Sequence, residues 1–349
     1  MKSVIAVGAE GKSSFSVLSK DGLYVSGPLE NLAETLKNYI RENEIIPDYI
    51  ACDSHPDYSS TLLAQKLQQE HNGSRLIQVQ HHFAHIVSCM SDNHLDQEVI
   101  GVAFDGTGYG ADGQSWGGEF LLCARQTFRR LKHLKYVAQP GGDIAAREGW
   151  RMALAYLLLS YGQKLAELKL DLLARLEKNK ISIIRQMIEK EVNSPLTSSA
   201  GRLFDAVSSI IGVADVSQFE AEAAIKLEKA ACPGIAGYYN FELAGEEINL
   251  APMIREIVQD LEIGLDRGII SAKFHNTLGE IIFTVSALLS QSLGIKQVVV
   301  SGGCFQNQYL SDYLTKRFAD SGLNLFMHKR YSTTDLGLSV GQAVVAANI

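Results

Sequence analysis

The sequence predicts a layered α/β protein of two similar lobes facing a cleft, and three observations lead there. Short apolar strand-like segments alternate with amphipathic helical ones. A β-rich opening followed by that alternation occurs twice. In each copy, strands run out into acidic or Gly-rich turns, which is where α/β folds place ligands. The length of 349 residues agrees, since a single core stops growing near ~250–300 residues.

In the first copy, residues 3–8 and 15–18 read as strands. Residues 29–40 carry Leu32, Leu36 and Ile40 at helical spacing, so they predict an amphipathic helix. Residues 49–52 form a short apolar strand that stops at Asp53-Ser-His-Pro-Asp. A helix over 59–70, a strand over 75–80 and a helix from His81 to just before Asn93 complete the copy.

The pattern restarts near Gln97. Residues 98–104 are a continuous apolar strand broken at Asp105-Gly-Thr-Gly-Tyr-Gly, and 118–124 and 129–137 read as its neighbours. Residues 150–161 are helical, and 163–192 read as a charged, peripheral helical insertion. Helices follow around 202–211 and 220–231, then a long buried one over 271–293. A strand over 297–300 ends in Ser301-Gly-Gly-Cys-Phe-Gln-Asn with a helix behind it; 323–328 is the last strand and 338–347 the last helix.

Composition excludes several classes. With 46% hydrophobic residues the chain is not of the disordered type, and a net charge of −7 argues against a broad nucleic-acid footprint. No apolar run approaches the ~20 residues that span a bilayer, and the opening stretch lacks a signal-peptide pattern. Cys52, Cys89, Cys123, Cys232 and Cys304 are dispersed, with no CxxC pair. That suits reduced thiols in the cytoplasm better than a disulfide framework or a structural zinc.

The strongest chemical signal is Val79-Gln-His-His-Phe-Ala-His85. His81 and His85, four apart on a helix, share one face and can share a metal, with carboxylates completing the sphere. His82 points elsewhere and is available to a substrate. Alone, the pair reads equally as surface or capping histidines. Asp105, closing a buried strand before alternating glycines, lets the backbone approach an anion or a metal, although a tight hairpin would use the same glycines. Gly302-Gly303 between strand and helix suits phosphate, but GxxxxGK[ST] is missing. Asp335 stands at the entrance to the final helix, where an N-cap is the plain alternative. Asp205 and Glu222 lie near helix starts, where acids hold ribose hydroxyls or simply stabilise the first turn.

Together these strings resemble one family, the carboxy-terminal, carbamoyl-transferring module of the hydrogenase maturation protein HypF. The resembling segments are AVGAEGKSSF, ACDSHPDYSST, VQHHFAHIVSCM, GVAFDGTGYGADGQSWGGEFLL, QPGGDIAAREGWRMALAYL, SSAGRLFDAV, SGGCFQN and GLSVGQA, in the family's order over nearly the whole chain. Only 163–192 and 234–264 carry little of it. The family's Asn-Asp-Gly-Gly run is Thr334-Asp335-Leu-Gly337 here.

The resemblance implies an actin-like (ASKHA) fold of two duplicated RNase H-like subdomains around a nucleotide and metal cleft. It implies a first lobe over 1–96 plus 335–349 and a second over 97–334. It implies that His81, His85, Asp105 and Asp335 hold one divalent metal, iron or zinc. Gly302, Gly303 and Asn307 would hold nucleotide phosphate, Asp205 and Glu222 the adenosine side, with Lys12 also on the nucleotide. His82 is the candidate general base. The implied reaction moves a carbamoyl group from carbamoyl-adenylate to the C-terminal cysteine thiol of a HypE-type protein. The acylphosphatase, zinc-finger and adenylating domains of full-length HypF have no counterpart in this sequence, so the resemblance implies either a separate adenylating domain or protein as partner or an excised piece of a longer chain. A small-molecule O-carbamoyltransferase and a non-catalytic nucleotide-binding partner protein are the rival readings.

Overall fold

A computed structural model describes residues 2–10 and 14–349; Lys12 lies outside the described residues. The first sheet is built from β1 (Val4–Ala6), β2 (Ser16–Ser19), β3 (Gly22–Val25), β4 (Tyr49–Asp53) and β5 (Arg75–Val79). Its helices are α1 (Leu32–Glu42), α2 (Ser59–Glu70) and α3 (His81–Asp92). The spatial order is β3-β2-β1-β4-β5, antiparallel across the first three strands and parallel from β1 through β5. Alternation along the strands sorts side chains between two layers. Ile5, Ile50 and Cys52 meet Leu36, Ala64 and Leu67 of α1 and α2 on one face. Val4, Ala6 and Ala51 meet Phe83, Ala84 and Val87 of α3 on the other.

The second lobe opens with β6 (Val99–Tyr109), β7 (Ser115–Cys123), β8 (Phe128–Leu134) and β9 (Val137–Ala138). Helices α4 (Ile144–Arg147), α5 (Gly149–Tyr161), α6 (Asp171–Arg175) and α7 (Lys178–Glu189) lead to β10 (Leu196–Thr197), α8 (Ala200–Ile210) and α9 (Glu222–Ala230). The hairpin β11 (Glu242–Ala244) and β12 (Glu247–Asn249) precedes α10 (Ala251–Glu262) and the long α11 (Arg267–Leu293). Then come β13 (Gln297–Ser301), α12 (Gln308–Phe318), β14 (Asn324–Phe326) and α13 (Leu338–Ala347).

The five central strands run β8-β7-β6-β13-β14, antiparallel across β8-β7-β6 and parallel across β6-β13-β14. That is the arrangement of the first sheet repeated strand for strand. The fold is therefore the duplicated, two-lobed actin-like α/β fold. Ile100, Val102 and Phe104 of β6 face α5, α8 and α11, whereas Val99 and Ala103 face α3. Helices α3 and α13 pack on each other between the two sheets. Every residue of α3 except Ser91 is buried as a result.

The 163–192 stretch is helical, as its sequence predicts, but in pieces. It breaks into a 3-10 turn, Gly162–Glu167, followed by α6 and α7. Leu165, Leu172 and Ile184 are sunk into the second lobe's core, so this insertion is docked rather than peripheral. Among the described residues no helix is long and apolar enough to cross a membrane.

One buried polar chain ties α11 to the start of α12. His275 donates from Nδ1 to the Ser271 carbonyl (2.8 Å) and accepts at Nε2 from the Asn307 amide (2.9 Å). Asn307 Oδ1 in turn caps α12 by accepting from Leu310 N (2.9 Å). Burial, only partly opposed by the Ser271 carbonyl, pulls the His275 pKa down to about 4. The unfolded chain therefore binds a proton first. This stabilisation is complete above about pH 6.5 and is lost as pH falls through the folded value of about 4. Acid titration of stability should cost the wild type about 3 kcal/mol more than His275→Gln between pH 6.5 and 4. Parallel curves would remove His275 as an acid-sensitive lock.

Candidate active site

The β5 strand delivers the chain to the cleft, and α3 starts there. Gln80 caps the helix, its Oε1 accepting from Phe83 N (2.8 Å) and its Nε2 donating to the Tyr109 carbonyl (2.9 Å). This places His81 and His85 one turn apart, with ring centroids 5.0 Å from each other. Asp105 faces them from β6, at the last residue of its buried run. Asp335 comes from the turn before α13, where Thr334 rather than Asp335 supplies the capping oxygen. Asp335 is thereby not spent on the N-cap role its position suggests.

His81 Nε2 stands 3.5 Å from Asp105 Oδ2 and 3.6 Å from Asp335 Oδ1. His85 Nε2 stands 3.6 and 3.3 Å from the same two oxygens. The four donor atoms lie within 4.8 Å of one another. Both Nε2 atoms are buried, and among the described residues neither has a hydrogen-bond partner. Donors each ~2.1 Å from a tetrahedrally held ion stand about 3.4 Å apart, so the spacing and the N2O2 donor set fit a divalent iron or zinc.

The donors are themselves oriented. His81 Nδ1 donates to Asp53 Oδ2 (2.8 Å), which leaves the Nε2 lone pair facing the two aspartates. Gly303 N donates to Asp105 Oδ1 (2.7 Å), which turns Oδ2 toward the histidines. Gly302 permits that approach: its φ is +111°, and a Cβ there would sit 2.3 Å from the Phe104 carbonyl oxygen. Burial opposes charge on His81, but Asp53, then Asp105 and Asp335, lift its pKa well above the ordinary value. His85 also rises against burial, through Asp105 and Asp335. Burial would raise both aspartates, but the two imidazoles hold Asp105 well below the carboxylate range and lower Asp335 too.

His82 is fully buried, and its pKa is driven well below normal by burial and then by His81. Its Nδ1 lies 3.3 Å from Gln80 Nε2, whose amide orientation is set by Phe83 N and the Tyr109 carbonyl. Nδ1 must accept there, so the ring proton sits on Nε2, which has no partner among the described residues. In this arrangement the neutral His82 ring has a hydrogen bond to offer from Nε2.

A cavity of about 560 Å³ opens beside Asp105 and Asp335. Gly303, Asn307, Arg202 and Asp205 line its polar side, and Phe219 and Ile225 its apolar side. Asp205 pairs with Arg202 Nε (2.7 Å), and burial, opposed by that arginine, raises its pKa. Asn307 lines the cavity while its amide is engaged by α12 and His275. Glu222 turns away, onto Gln218 N (2.5 Å) and Lys226 Nζ (2.7 Å), and Glu220 and Ala221 form the wall beside it. A larger cavity of about 820 Å³ between α5, α7 and β10 touches none of the four clustered donors. Asp53 was legible only as the end of a strand. Its signal was the one that marked Asp105: an acid closing an apolar strand at a turn.

Comparison with known proteins identifies the family. The profile of the HypF Kae1-like domain matches residues 1–92, and that of the second subdomain of the Kae1-like carbamoyltransferase domain matches residues 101–342. A HypF homolog of Cupriavidus necator is 38% identical over 314 residues, covering 85% of this chain and 77% of that protein. The probable carbamoyltransferase HypF of Methanocaldococcus jannaschii is 30% identical over 98% of this chain but only 46% of its own length. A crystal structure of full-length HypF in a phosphate- and nucleotide-bound form superposes with a TM-score of 0.92 at 35% identity. It is covered over 55% of its length and this chain over 100%. The chain thus spans about half of the longer relatives.

Two variants probe the cluster. Asp53→Asn should weaken zinc or ferrous iron binding by roughly 10- to 100-fold, read by equilibrium dialysis with elemental analysis. A Cβ at Gly108 would meet His82 Cε1 at 2.5 Å and His81 Cδ2 at 2.6 Å. Gly108→Ala should therefore displace both rings, lowering stability by about 1–3 kcal/mol and metal content with it. Normal metal content in either variant would contradict the arrangement of donors described here.

Proposed function

This chain belongs to the HypF family of carbamoyltransferases, and from that premise we propose that it moves the carbamoyl group of carbamoyl-adenylate to the C-terminal cysteine thiol of a HypE-type acceptor. One observation carries the reading: Asp105 and Asp335 belong both to the His81/His85 donor cluster and to the wall of the cavity. The acyl-phosphate end of a nucleotide in that cavity would lie against the cluster, with Gly303 near phosphate and Phe219 and Ile225 near the base.

In the step itself, the acceptor sulfur attacks the carbamoyl carbon. The carbon–oxygen bond to phosphate breaks and AMP leaves with its electron pair, while the thiol proton passes to solvent or buffer. A divalent iron or zinc ion held by His81, His85, Asp105 and Asp335 would supply Lewis-acid polarisation. Asp53 and Gly303 keep the donors aimed. His82, holding its proton on Nε2, would hydrogen-bond developing negative charge on the carbamoyl oxygen. Arg202, held by Asp205 at the cavity wall, would face the leaving phosphate.

The same reading divides the chain into a first lobe of 1–96 plus 335–349 and a second of 97–334. It also places the protein in the cytoplasm, beside the adenylating domain or protein that supplies the donor.

The test is intact-mass spectrometry of a HypE-type acceptor incubated with this protein, an adenylating module, carbamoyl phosphate, ATP and zinc or ferrous iron. A carbamoyl mass gain on the C-terminal cysteine is expected, and His81→Ala should lose it together with bound metal. Undiminished transfer by metal-free His81→Ala would remove the metal from the reaction. No gain with the wild type, once carbamoyl-adenylate is shown to be present, would overturn the acceptor assignment.

A further inference from the structure

Asp92, at the far end of α3 from the two histidines, is a buried carboxylate that the chemistry above does not use. Its side chain is inaccessible, and its Oδ2 accepts from three successive backbone amides: Lys329 (2.6 Å), Arg330 (2.9 Å) and Tyr331 (3.2 Å). Its Oδ1 accepts from Arg330 Nε (3.1 Å). A buried carboxylate is costly unless so compensated, and consecutive amides turned to one oxygen form an anion-holding nest. Burial would raise its pKa, but the three amides outweigh that and lower it.

What the nest holds is the irregular segment after β14 that leads, within four residues, to Asp335. The same helix grips that segment at two further points. Asn93 Nδ2 donates to the Met327 carbonyl (2.9 Å), and Ser88 Oγ to the Gly337 carbonyl (2.8 Å). The held positions flank Asp335 on both sides. Residues 327–334 form neither helix nor strand, so no intrinsic geometry fixes where Asp335 falls. Helix α3 itself carries His81 and His85.

We propose that Asp92 is a positioning residue for Asp335: by anchoring residues 329–331 to α3, it places the fourth donor in register with the two histidines on the same helix. This inference rests on the proposed metal site for its consequence, but the anchoring itself can be measured without metal.

The experiment uses the full chain and three variants: Asp92→Asn, Asp92→Glu and Arg330→Ala. In the metal-free protein, hydrogen exchange followed by mass spectrometry should speed up in Asp92→Asn throughout 329–337, including the amides of Leu336 and Gly337. Peptides around His275 should be unchanged. Zinc affinity by dialysis should fall at least 10-fold in Asp92→Asn and recover in part in Asp92→Glu. Arg330→Ala keeps the three backbone bonds and loses one exposed partner, so it should fall about two- to threefold. It keeps the test open if Asp92→Asn does not fold.

Faster exchange confined to 329–331, with 335–337 as in the wild type, would overturn the proposal, as would unaltered zinc affinity in a folded Asp92→Asn. Failure of the wild type itself to take up zinc or ferrous iron would instead count against the proposed metal site. The exchange pattern would still decide whether Asp92 positions Asp335.

Discussion

One buried and one part-buried carboxylate, Asp105 and Asp335, facing two buried imidazoles set the terms for the rest of this molecule. Burial penalises ionised Asp105 and Asp335, and their proximity adds repulsion. The His81 and His85 Nε2 atoms are the nearest compensating groups, 3.3–3.6 Å away, at a spacing that suits a shared cation better than direct hydrogen bonds. Such a cluster needs donors aimed from behind, and three of the four have such support. Asp53 holds His81, Gly303 holds Asp105, and Thr334 caps the turn that carries Asp335. These are contacts of no use to a core alone.

The duplicated topology explains how those elements meet. In both sheets the first and fourth strands run parallel and side by side, so their carboxyl ends open onto the same cleft. Asp53 closes β4, Asp105 lies on β6, and the Gly302-Gly303 turn follows β13. At the end of β1, Gly8 N donates to Gln342 of α13 (2.9 Å), which locks the last helix against the first strand. Helix α3 bridges the halves: its position between both sheets removes it from solvent and makes it the rigid part against which the cavity, the turn of Asp335 and the strand of Asp105 are registered.

How far this could be read from sequence depended on whether the signal was local. The order of strands and helices was legible because strand alternation and helical spacing are short-range patterns, and the final helix appears over the residues its pattern marks, 338–347. The four clustered donors were legible because Asp105 closes an apolar strand, Asp335 stands at the entrance to the final helix, and the His pair has a helical spacing. The 163–192 stretch was misread because its charged surface hides Leu165, Leu172 and Ile184, whose burial depends on a neighbour, α5, that periodicity does not show. Glu222 was placed by its position near a helix start and by the resemblance, but a competing backbone amide and Lys226 took its carboxylate. Asp53 shared the strand-end signal of Asp105 without showing its partner, and Asp92 gave no distinctive pattern, since a carboxylate's target on another turn or on distant backbone is visible only in three dimensions.

His81 and His82 make the general point in two adjacent residues. Both are buried on the same turn of the same helix, and burial alone would depress both. Asp53 reaches one ring nitrogen of His81 and, with Asp105 and Asp335, reverses the effect of burial there; among the described residues the His82 ring nitrogens meet a neutral amide and no carboxylate, and the charge on its neighbour depresses it further. One imidazole is thus made a strong donor of electron pairs at Nε2, and the next is kept neutral with its proton outward. Identical side chains acquire opposite chemistry because one acid at the end of β4 falls within reach of one of them. The division of labour in this site is therefore set by the partners behind the histidines, and it is those partners that a substitution must disturb to change the chemistry without emptying the core.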